Sequence, residues 1–240
     1  GTISNPFLDP IRANTFDVAV EWYFRPGSLL SAAFFYKDIK SFIQNVNSQI
    51  AFNQLGLPDA LLIGGNAVPT DDFTISQPFN TPGGKLKGIE LNAQIPFTFL
   101  DGFFSNFGVL ANYTIVNGDV GYNDAGDPNI DQFSLTGLSD TANAMLMYEK
   151  YGWSIRLAWN WRDEYLILAN QGTSRNPYYV EESDQWDLSV NYALNDHWSF
   201  GFEAINLTES DIRTYGRDKS NLWYAQELDR RFLLGGRFRF

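Results

Sequence analysis

The sequence predicts an all-β fold, the wall of an antiparallel transmembrane β-barrel with about nine strands. Two regularities carry this prediction. Side chains alternate between apolar and polar along nine short stretches, as they do when one face of each strand meets lipid. The connections between these stretches alternate strictly in length, with short ones at 25–28, 98–103, 149–152 and 194–197 and long ones at 45–83, 117–133, 169–183 and 208–221. Outer-membrane barrels combine short periplasmic turns with long extracellular loops in this way.

The last ten residues show the alternation most clearly. Even-numbered positions carry three Phe, one Leu and one Gly, whereas odd-numbered positions carry three Arg, one Leu and one Gly. Successive strand side chains point to opposite faces, so an aromatic row here is backed by an arginine row. A barrel wall needs that arrangement, with rings toward the acyl chains and charges toward a wet or plugged interior.

Eight further strands are predicted where the same alternation recurs, at about 16–25, 29–41, 89–95, 107–115, 141–149, 153–162, 186–192 and 198–204. Their apolar faces run for four or five alternating residues. That length suits a tilted strand that crosses the ~25 Å apolar band of a membrane. Leu157 is predicted on the lipid face and Asn160 on the lumen face. The blurred alternation at 37–39 predicts a β-bulge.

Composition and charge exclude several classes of protein. The chain has 240 residues and no cysteine, which excludes a disulfide scaffold and a thiolate metal site. Its net charge of −11 argues against a nucleic-acid binder, whose phosphate contacts need a basic face. The chain begins at Gly1 without an initiator Met or a signal sequence. Because bacterial single-chain barrels have even strand numbers and nine is odd, we expect residues 1–240 to be the tail of a longer barrel.

Five segments resemble the C-terminal part of TonB-dependent outer-membrane receptors, most closely the group common in proteobacteria of the Caulobacter and Xanthomonas kind. The segments are NPFLDPIRANTFDVAVEWYF, SAAFFYKDIKSFI, LKGIELNAQIPFTFLDGFFSNFGVLANYT, LTGLSDTANAMLMYEKYGWSIRLAWNWRDEYL, and the ending INLTESDIRTYGRD…RRFLLGGRFRF. In their order and spacing they cover most of the chain outside the long loops.

The resemblance implies a 22-stranded barrel closed by an N-terminal plug, with residues 1–240 as the C-terminal portion of the barrel domain. It implies energised uptake of a scarce nutrient in the bacterial outer membrane, driven through the TonB complex, with membrane lipid around the wall. The plug domain and the TonB box lie upstream in that family, so no residue from those parts carries over. The terminal Phe240 resembles part of the family's signal for the barrel-assembly machinery.

Candidate substrate-binding residues lie in the third long loop. There Arg175, Tyr178 and Tyr179 can hydrogen-bond to and stack on a small molecule above the barrel mouth. The aromatic side chains of this loop can equally pack against neighbouring loops, and the sequence leaves both interpretations open.

The acidic second loop, 117–133, contains carboxylates that suit a calcium ion, namely Asp119, Asp124 and Asp127. Their spacing does not fit an EF-hand, and solvated negative charge is the favoured interpretation. The only histidine, His197, is predicted as a solvated turn residue rather than a catalytic base. No nucleophile elbow and no nucleotide-binding motif appears, so the sequence predicts neither an enzyme, a cofactor nor a metal site.

Two functions of different classes remain open. The leading one is a transport receptor for a siderophore, an oligosaccharide or a cobalamin-like ligand. The alternative is a complete small outer-membrane barrel that acts as a passive channel or an adhesin. That alternative needs one further strand, which the sequence would place around 73–76.

Overall fold

The computed structural model describes residues 1–127, 130, 132–169 and 176–240, and their regular structure is almost entirely β-strand. Three short 3₁₀ turns complete it, at Phe52–Gln54, Asp59–Leu62 and Gly102–Asn106. No helix in these ranges is long and apolar enough to span a membrane. The strands are β1 (Ala13–Arg25), β2 (Ser28–Ala51), β3 (Asp72–Pro96), β4 (Phe107–Gly118), β5 (Thr141–Lys150), β6 (Trp153–Arg162), β7 (Tyr165–Leu168), β8 (Tyr178–Val180), β9 (Ser183–Ala193), β10 (Trp198–Ile205), β11 (Ile212–Tyr215), β12 (Leu222–Gln226) and β13 (Arg231–Phe238).

Nine of these strands form one antiparallel sheet, the main sheet, in the order β1-β2-β3-β4-β5-β6-β9-β10-β13. They are the nine strands that the alternation predicts, so the all-β antiparallel fold is confirmed. Short and long connections alternate along the sheet, and we call its two ends the short-turn end and the long-loop end. Within the described chain, β1 and β13 each have one neighbour, so this sheet is not closed.

One face of the main sheet is apolar from edge to edge, because directly opposed residues of adjacent strands form apolar rows across it. One row consists of Trp22, Leu30, Ala93, Ala111, Ala144, Trp159 and Trp186. A second row consists of Ile95, Val109, Leu146, Leu157, Leu188, Ala204 and Phe232. Large side chains on this face are exposed, among them Trp22 at 62%. An apolar surface of this extent is expected where lipid replaces water.

The opposite face of the main sheet is polar. Its most regular row runs across seven strands and consists of Glu21, Ser31, Asn92, Asn112, Asn143, Asn160 and Gln185. The Asn143 amide donates to Asn112 Oδ1 at 2.8 Å, which links two neighbouring strands through their side chains. Leu157 and Asn160 therefore lie on opposite faces, as the sequence predicts.

The segment 45–83, predicted as a long irregular loop, is strand at both ends, over 45–51 and 72–83, and the prediction is wrong there. β2 and β3 stay paired from Ser41 opposite Pro82 out to Ala51 opposite Asp72. At Ser76 the backbone N–H and carbonyl of β3 point away from β2. The N–H donates to the Gly1 carbonyl, and the carbonyl accepts from the Ile3 N–H. Pro78 lies two residues after Ser76, so its backbone nitrogen points to the same outer edge of β3. Proline has no N–H to donate there, and the hydrogen bonds between β2 and β3 are therefore all kept.

Two further local predictions fail. The β-bulge expected at 37–39 is absent, since Lys37, Asp38 and Ile39 pair without interruption with both β1 and β3. This part of β2 lies beyond the two apolar rows, and a strand outside them does not need strict alternation to stay paired. The extra strand near 73–76 is also absent, because these residues begin β3 itself. The alternative of a complete small barrel needed this additional strand, so the structure does not support it.

The connections from β6 to β9 and from β10 to β13 include the predicted third and fourth long loops, and we use those names for the whole connections from here on. Together they form a second, four-stranded sheet in the order β12-β11-β8-β7. We call it the outer sheet, because its strands belong to connections at the long-loop end. The sequence predicts these loops as irregular, since a strand as short as β8, Tyr178–Val180, gives no readable alternation.

Candidate functional site at the long-loop end

The outer sheet joins two long loops into one unit. β8, from the third loop, pairs on one side with β7 and on the other with β11 of the fourth loop. In the second of these pairings Tyr179 lies opposite Tyr215 and Val180 lies opposite Thr214. The residues that could meet a ligand at this end are thus held by backbone hydrogen bonds between loops.

Tyr179 lies at the centre of the contacts between these loops. Its ring stacks on that of Tyr215, with centroids 5.2 Å apart and planes 17° from parallel. Its hydroxyl donates to the Asp124 carboxylate, at 3.1 and 3.3 Å from the two oxygens, and so reaches the second long loop. Burial raises the pKa of Tyr179, and the negative charge of Asp124 raises it further. The phenol therefore stays a hydrogen-bond donor at neutral pH.

Tyr215, the second ring of this stack, is buried, with 5% of its surface exposed. Burial raises the pKa of Tyr215, and its hydrogen bond to Glu164 adds to that effect. The Glu164 carboxylate also forms an ion pair with Lys219 at 2.8 Å. The start of the third loop is thereby tied to the fourth loop by a phenol and an ammonium group on one carboxylate.

Arg217 connects the fourth loop to the second. Its guanidinium donates to the carbonyl oxygens of Asp124 and Gly126 and, at 3.0 Å, to the hydroxyl of Tyr122. The Tyr122 ring in turn meets the Tyr179 ring edge-on, with centroids 6.5 Å apart. We call the set Tyr122, Asp124, Tyr179, Tyr215 and Arg217 the loop clasp, because it joins three long loops.

A cavity of about 390 Å³ lies on the polar face of the main sheet at its long-loop end. This volume falls within the range of small-molecule sites. Two adjacent rows of the polar face form its floor, with Thr141, Arg162 and Ser183 in one and Asn143, Asn160 and Gln185 in the other. Trp161 of β6 also lines the cavity, and the fourth long loop supplies the remaining wall through Ser210, Asp211, Ile212 and Leu228.

Asn206 holds that wall in place from a buried position, with 5% of its surface exposed. Its Oδ1 accepts the Ser210 N–H at 2.8 Å, and its amide donates to the Leu228 carbonyl at 2.7 Å. Its own N–H donates to Asp187 of β9 at 2.8 Å. The residue has a φ of 58°, a left-handed conformation that asparagine tolerates better than most residues. One side chain thus joins the two segments of the fourth loop that line the cavity, one at Ser210 and the other at Leu228.

Two of the three predicted substrate-binding residues, Tyr178 and Tyr179, lie in the part of the chain that the structure describes. Arg175 lies outside the described residues. Tyr179 belongs to the loop clasp, and the Tyr178 ring meets the Trp223 ring edge-on, with centroids 4.8 Å apart. Both tyrosines therefore pack against the fourth loop, which is one of the two interpretations left open by the sequence. A role in substrate binding stays a prediction for all three residues.

The acidic second loop uses its carboxylates in hydrogen bonds. Asp119 accepts the Lys85 N–H at 2.6 Å, and Asp124 accepts the Tyr179 hydroxyl. In the part of the chain that the structure describes, no three acidic, histidine or cysteine side chains are grouped so as to hold a metal ion. At the short-turn end, His197 Nδ1 lies 3.0 Å from the carbonyl oxygen of Arg239, next to the fully exposed Phe240.

Sequence reasoning missed Asn206, Tyr215 and Arg217. Arg217 bonds to a carbonyl 91 residues earlier in the chain, and no local pattern reports a contact of that range. The signal that was available is compositional. Tyr215 and Arg217 fall within DIRTYGRD, and Asn206 begins NLTES, two consecutive polar segments that contain turn-forming residues.

The profile of a protein family described as TonB dependent receptor-like, beta-barrel, matches residues 1–207. The chain belongs to this family. The match covers eight of the nine strands of the main sheet, together with the second and third long loops. No curated protein matches the chain in sequence.

Solved structures of TonB-dependent receptors share the fold of this receptor chain. The ferric enterobactin receptor PfeA of Pseudomonas aeruginosa aligns with a TM-score of 0.61 at 17% identity, over 95% of this chain and 31% of its own. The siderophore receptor PirA of Acinetobacter baumannii gives 0.59 at 16% identity, over 97% and 32%. The ferric-catecholate import receptor Fiu of E. coli gives 0.60 at 17% identity, over 97% and 28%. The chain therefore spans less than a third of each neighbour, and identities this low support the fold alone.

Proposed function

We propose that this chain forms part of the wall of a receptor in a Gram-negative outer membrane, which imports a scarce small molecule with energy supplied through TonB. The observation that carries the proposal is the main sheet itself. One face is apolar across all nine strands and the other is polar, and the connections are short at one end and long at the other. This two-sided wall suits a barrel with lipid outside and a wet or plugged lumen inside.

The proposal assigns residues 1–240 to the C-terminal portion of the barrel domain. The plug domain and the TonB box then belong to the remainder of the receptor, and the long-loop end faces the cell exterior. Support comes from the neighbours' lengths, since each is about three times as long as the part that aligns.

Phe240 is proposed as part of the signal that the barrel-assembly machinery reads. The ring is fully exposed at the end of β13 and touches only its neighbour Phe238, at a centroid distance of 5.1 Å, in the ring contacts of the described chain. Phe240→Ala should lower the amount of assembled receptor in the outer membrane, whereas Phe240→Tyr should keep it. Equal assembly of both variants would contradict this role.

Energised transport is tested with the full-length protein in cells with and without TonB. Ferric enterobactin and a neutral trisaccharide serve as probes, because the neighbours named above are siderophore receptors and the polar cavity described here is lined by amides and hydroxyls. We expect one probe to accumulate only when TonB and the proton gradient are both present. Accumulation that is unaffected by TonB deletion and by a protonophore would show a passive channel instead.

A further inference from the structure

We propose that the cavity floored by β5, β6 and β9 is a binding site for a neutral, polyhydroxylated ligand of the saccharide class. This inference rests on the proposed function, because it places the ligand on the lumen side of a receptor wall. It goes beyond that function by naming the chemistry of the ligand and the side chains that meet it.

The floor of the cavity is built from groups that both donate and accept hydrogen bonds. The amides of Asn143, Asn160 and Gln185 lie side by side on three adjacent strands, with the hydroxyls of Thr141 and Ser183 one row away. Sugar hydroxyls also donate and accept, so they pair with amides and hydroxyls in either direction. Adjacent strands are ~4.8 Å apart, so a flat ring with several hydroxyls can reach two or three of these side chains at once.

Asn160 lies at the middle of the amide row and is the side chain best placed for a ligand. Its neighbours are engaged, since the Asn143 amide donates to Asn112 and the Gln185 amide donates to Asp187. The Asn160 amide has no hydrogen-bond partner among the described residues and is exposed to the cavity. Two donor hydrogens and one acceptor oxygen are thus available to a bound molecule.

The charges of the cavity argue against an anionic ligand. Of the described lining residues, only Arg162 and Asp211 are charged, and their charges are opposite. The Arg162 guanidinium already donates to Ser139 Oγ at 2.8 Å and to the Gly137 carbonyl at 3.0 Å, while it lies over the Tyr165 ring. Anion sites are usually built from several free cationic groups. A ferric catecholate, which is an anion, lacks its partners here, whereas a neutral saccharide does not need them.

The test compares two matched Asn→Leu variants of the full-length receptor, purified in detergent. Asn160→Leu removes the free amide from the cavity. Asn191→Leu makes the same change at an exposed position on the same face of the neighbouring strand β9, outside the cavity lining. Calorimetric titrations use maltotriose and xylotriose as neutral probes and ferric enterobactin as the anionic probe.

We expect saturable binding of at least one trisaccharide, weakened roughly tenfold or more by Asn160→Leu and unchanged by Asn191→Leu, since the lost amide leaves sugar hydroxyls unpaired. Asn160→Gln, which keeps the amide, should recover part of the affinity and serves if the Leu variant fails to fold. Equal binding by all variants would overturn the site, as would the absence of binding by both trisaccharides. TonB-dependent uptake of ferric enterobactin, unaffected by Asn160→Leu, would overturn this inference while leaving the proposed function intact.

Discussion

The rings of Tyr179 and Tyr215 stack with centroids 5.2 Å apart, and this contact joins the third long loop of the chain to the fourth. The two hydroxyl groups extend the contact in different directions. Tyr179 reaches Asp124 in the second loop, and Tyr215 reaches Glu164 where the third loop begins. Three long loops of a TonB-dependent receptor wall are thereby coupled, so we expect them to open and close together.

Replacing Arg217 tests this coupling. Arg217→Met removes the hydrogen bonds from the guanidinium to two carbonyls and to Tyr122. Local stability of the second loop should fall by about 1–3 kcal/mol, because these are hydrogen bonds to a charged group. Hydrogen exchange of the amides at 119–127 should accelerate by about tenfold to a hundredfold.

The matched control for this change is Arg213→Met. Arg213 lies in the same loop and forms a partly exposed ion pair with Glu181 at 3.4 Å. Exposed pairs of this kind contribute about 0–1 kcal/mol, and this one does not reach the second loop. If both variants leave exchange at 119–127 unchanged, the three loops are not coupled through Arg217.

The loop clasp should also loosen at high pH. Burial raises the pKa of Tyr215, and the hydrogen bond to Glu164 raises it further above the ordinary value of 10.0. The folded loops hold this proton more tightly than the unfolded chain does. The stabilisation is therefore complete below about pH 10 and is lost as the pH rises above that value.

Phenolate absorbance of the wild-type receptor and of Tyr215→Phe measures this effect. The difference between the two titrations reports Tyr215, and Tyr151→Phe calibrates the signal of one tyrosine that is 79% exposed. We expect the Tyr215 phenolate to appear only well above pH 10. A Tyr215 phenolate that forms at or below pH 10 would contradict the burial and the hydrogen bond.

The sequence was most informative where one face of a strand is apolar and the other is polar. The row through Ala93, Ala111 and Ala144 alternates with the row through Asn92, Asn112 and Asn143 because the environment changes at each residue. Because of that contrast, the sequence predicts all nine strands of the main sheet and the face on which their side chains lie.

The same contrast is absent beyond the apolar rows, and there the sequence does not predict the strands. The outer half of β2 contains QNVNSQ, which forms a strand although both of its faces are polar. β8 has three residues, too few for a period to appear, and the contact between Arg217 and Gly126 joins residues that are distant in sequence. The cavity was unpredictable for a related reason, since its wall depends on Asn206, a turn residue whose partners are Asp187 of β9 and Leu228 in the connection between β12 and β13.

Introducing charge on each face tests the orientation of the wall. Leu157 lies in an apolar row of β6, and Leu157→Arg should destabilise the receptor by about 2–4 kcal/mol, because it places a cation in mid-membrane. Asn160→Arg changes the polar face three residues along the same strand and should cost much less. Unfolding titrations from lipid vesicles measure both, and equal losses would show that the faces are misassigned.

The central claim is that one face of the main sheet meets lipid and the other meets the lumen, and neighbouring positions of β3 test it most directly. This chain has no cysteine, so Leu91→Cys and Asn92→Cys each add one site for a spin label. The full-length receptor is labelled, reconstituted into vesicles and exposed to oxygen, which concentrates in lipid, and to a water-soluble nickel chelate. The account predicts that oxygen relaxes the label at 91 more strongly and that the chelate relaxes the label at 92 more strongly. Two labels with the same accessibility, or with the opposite preference, would contradict it.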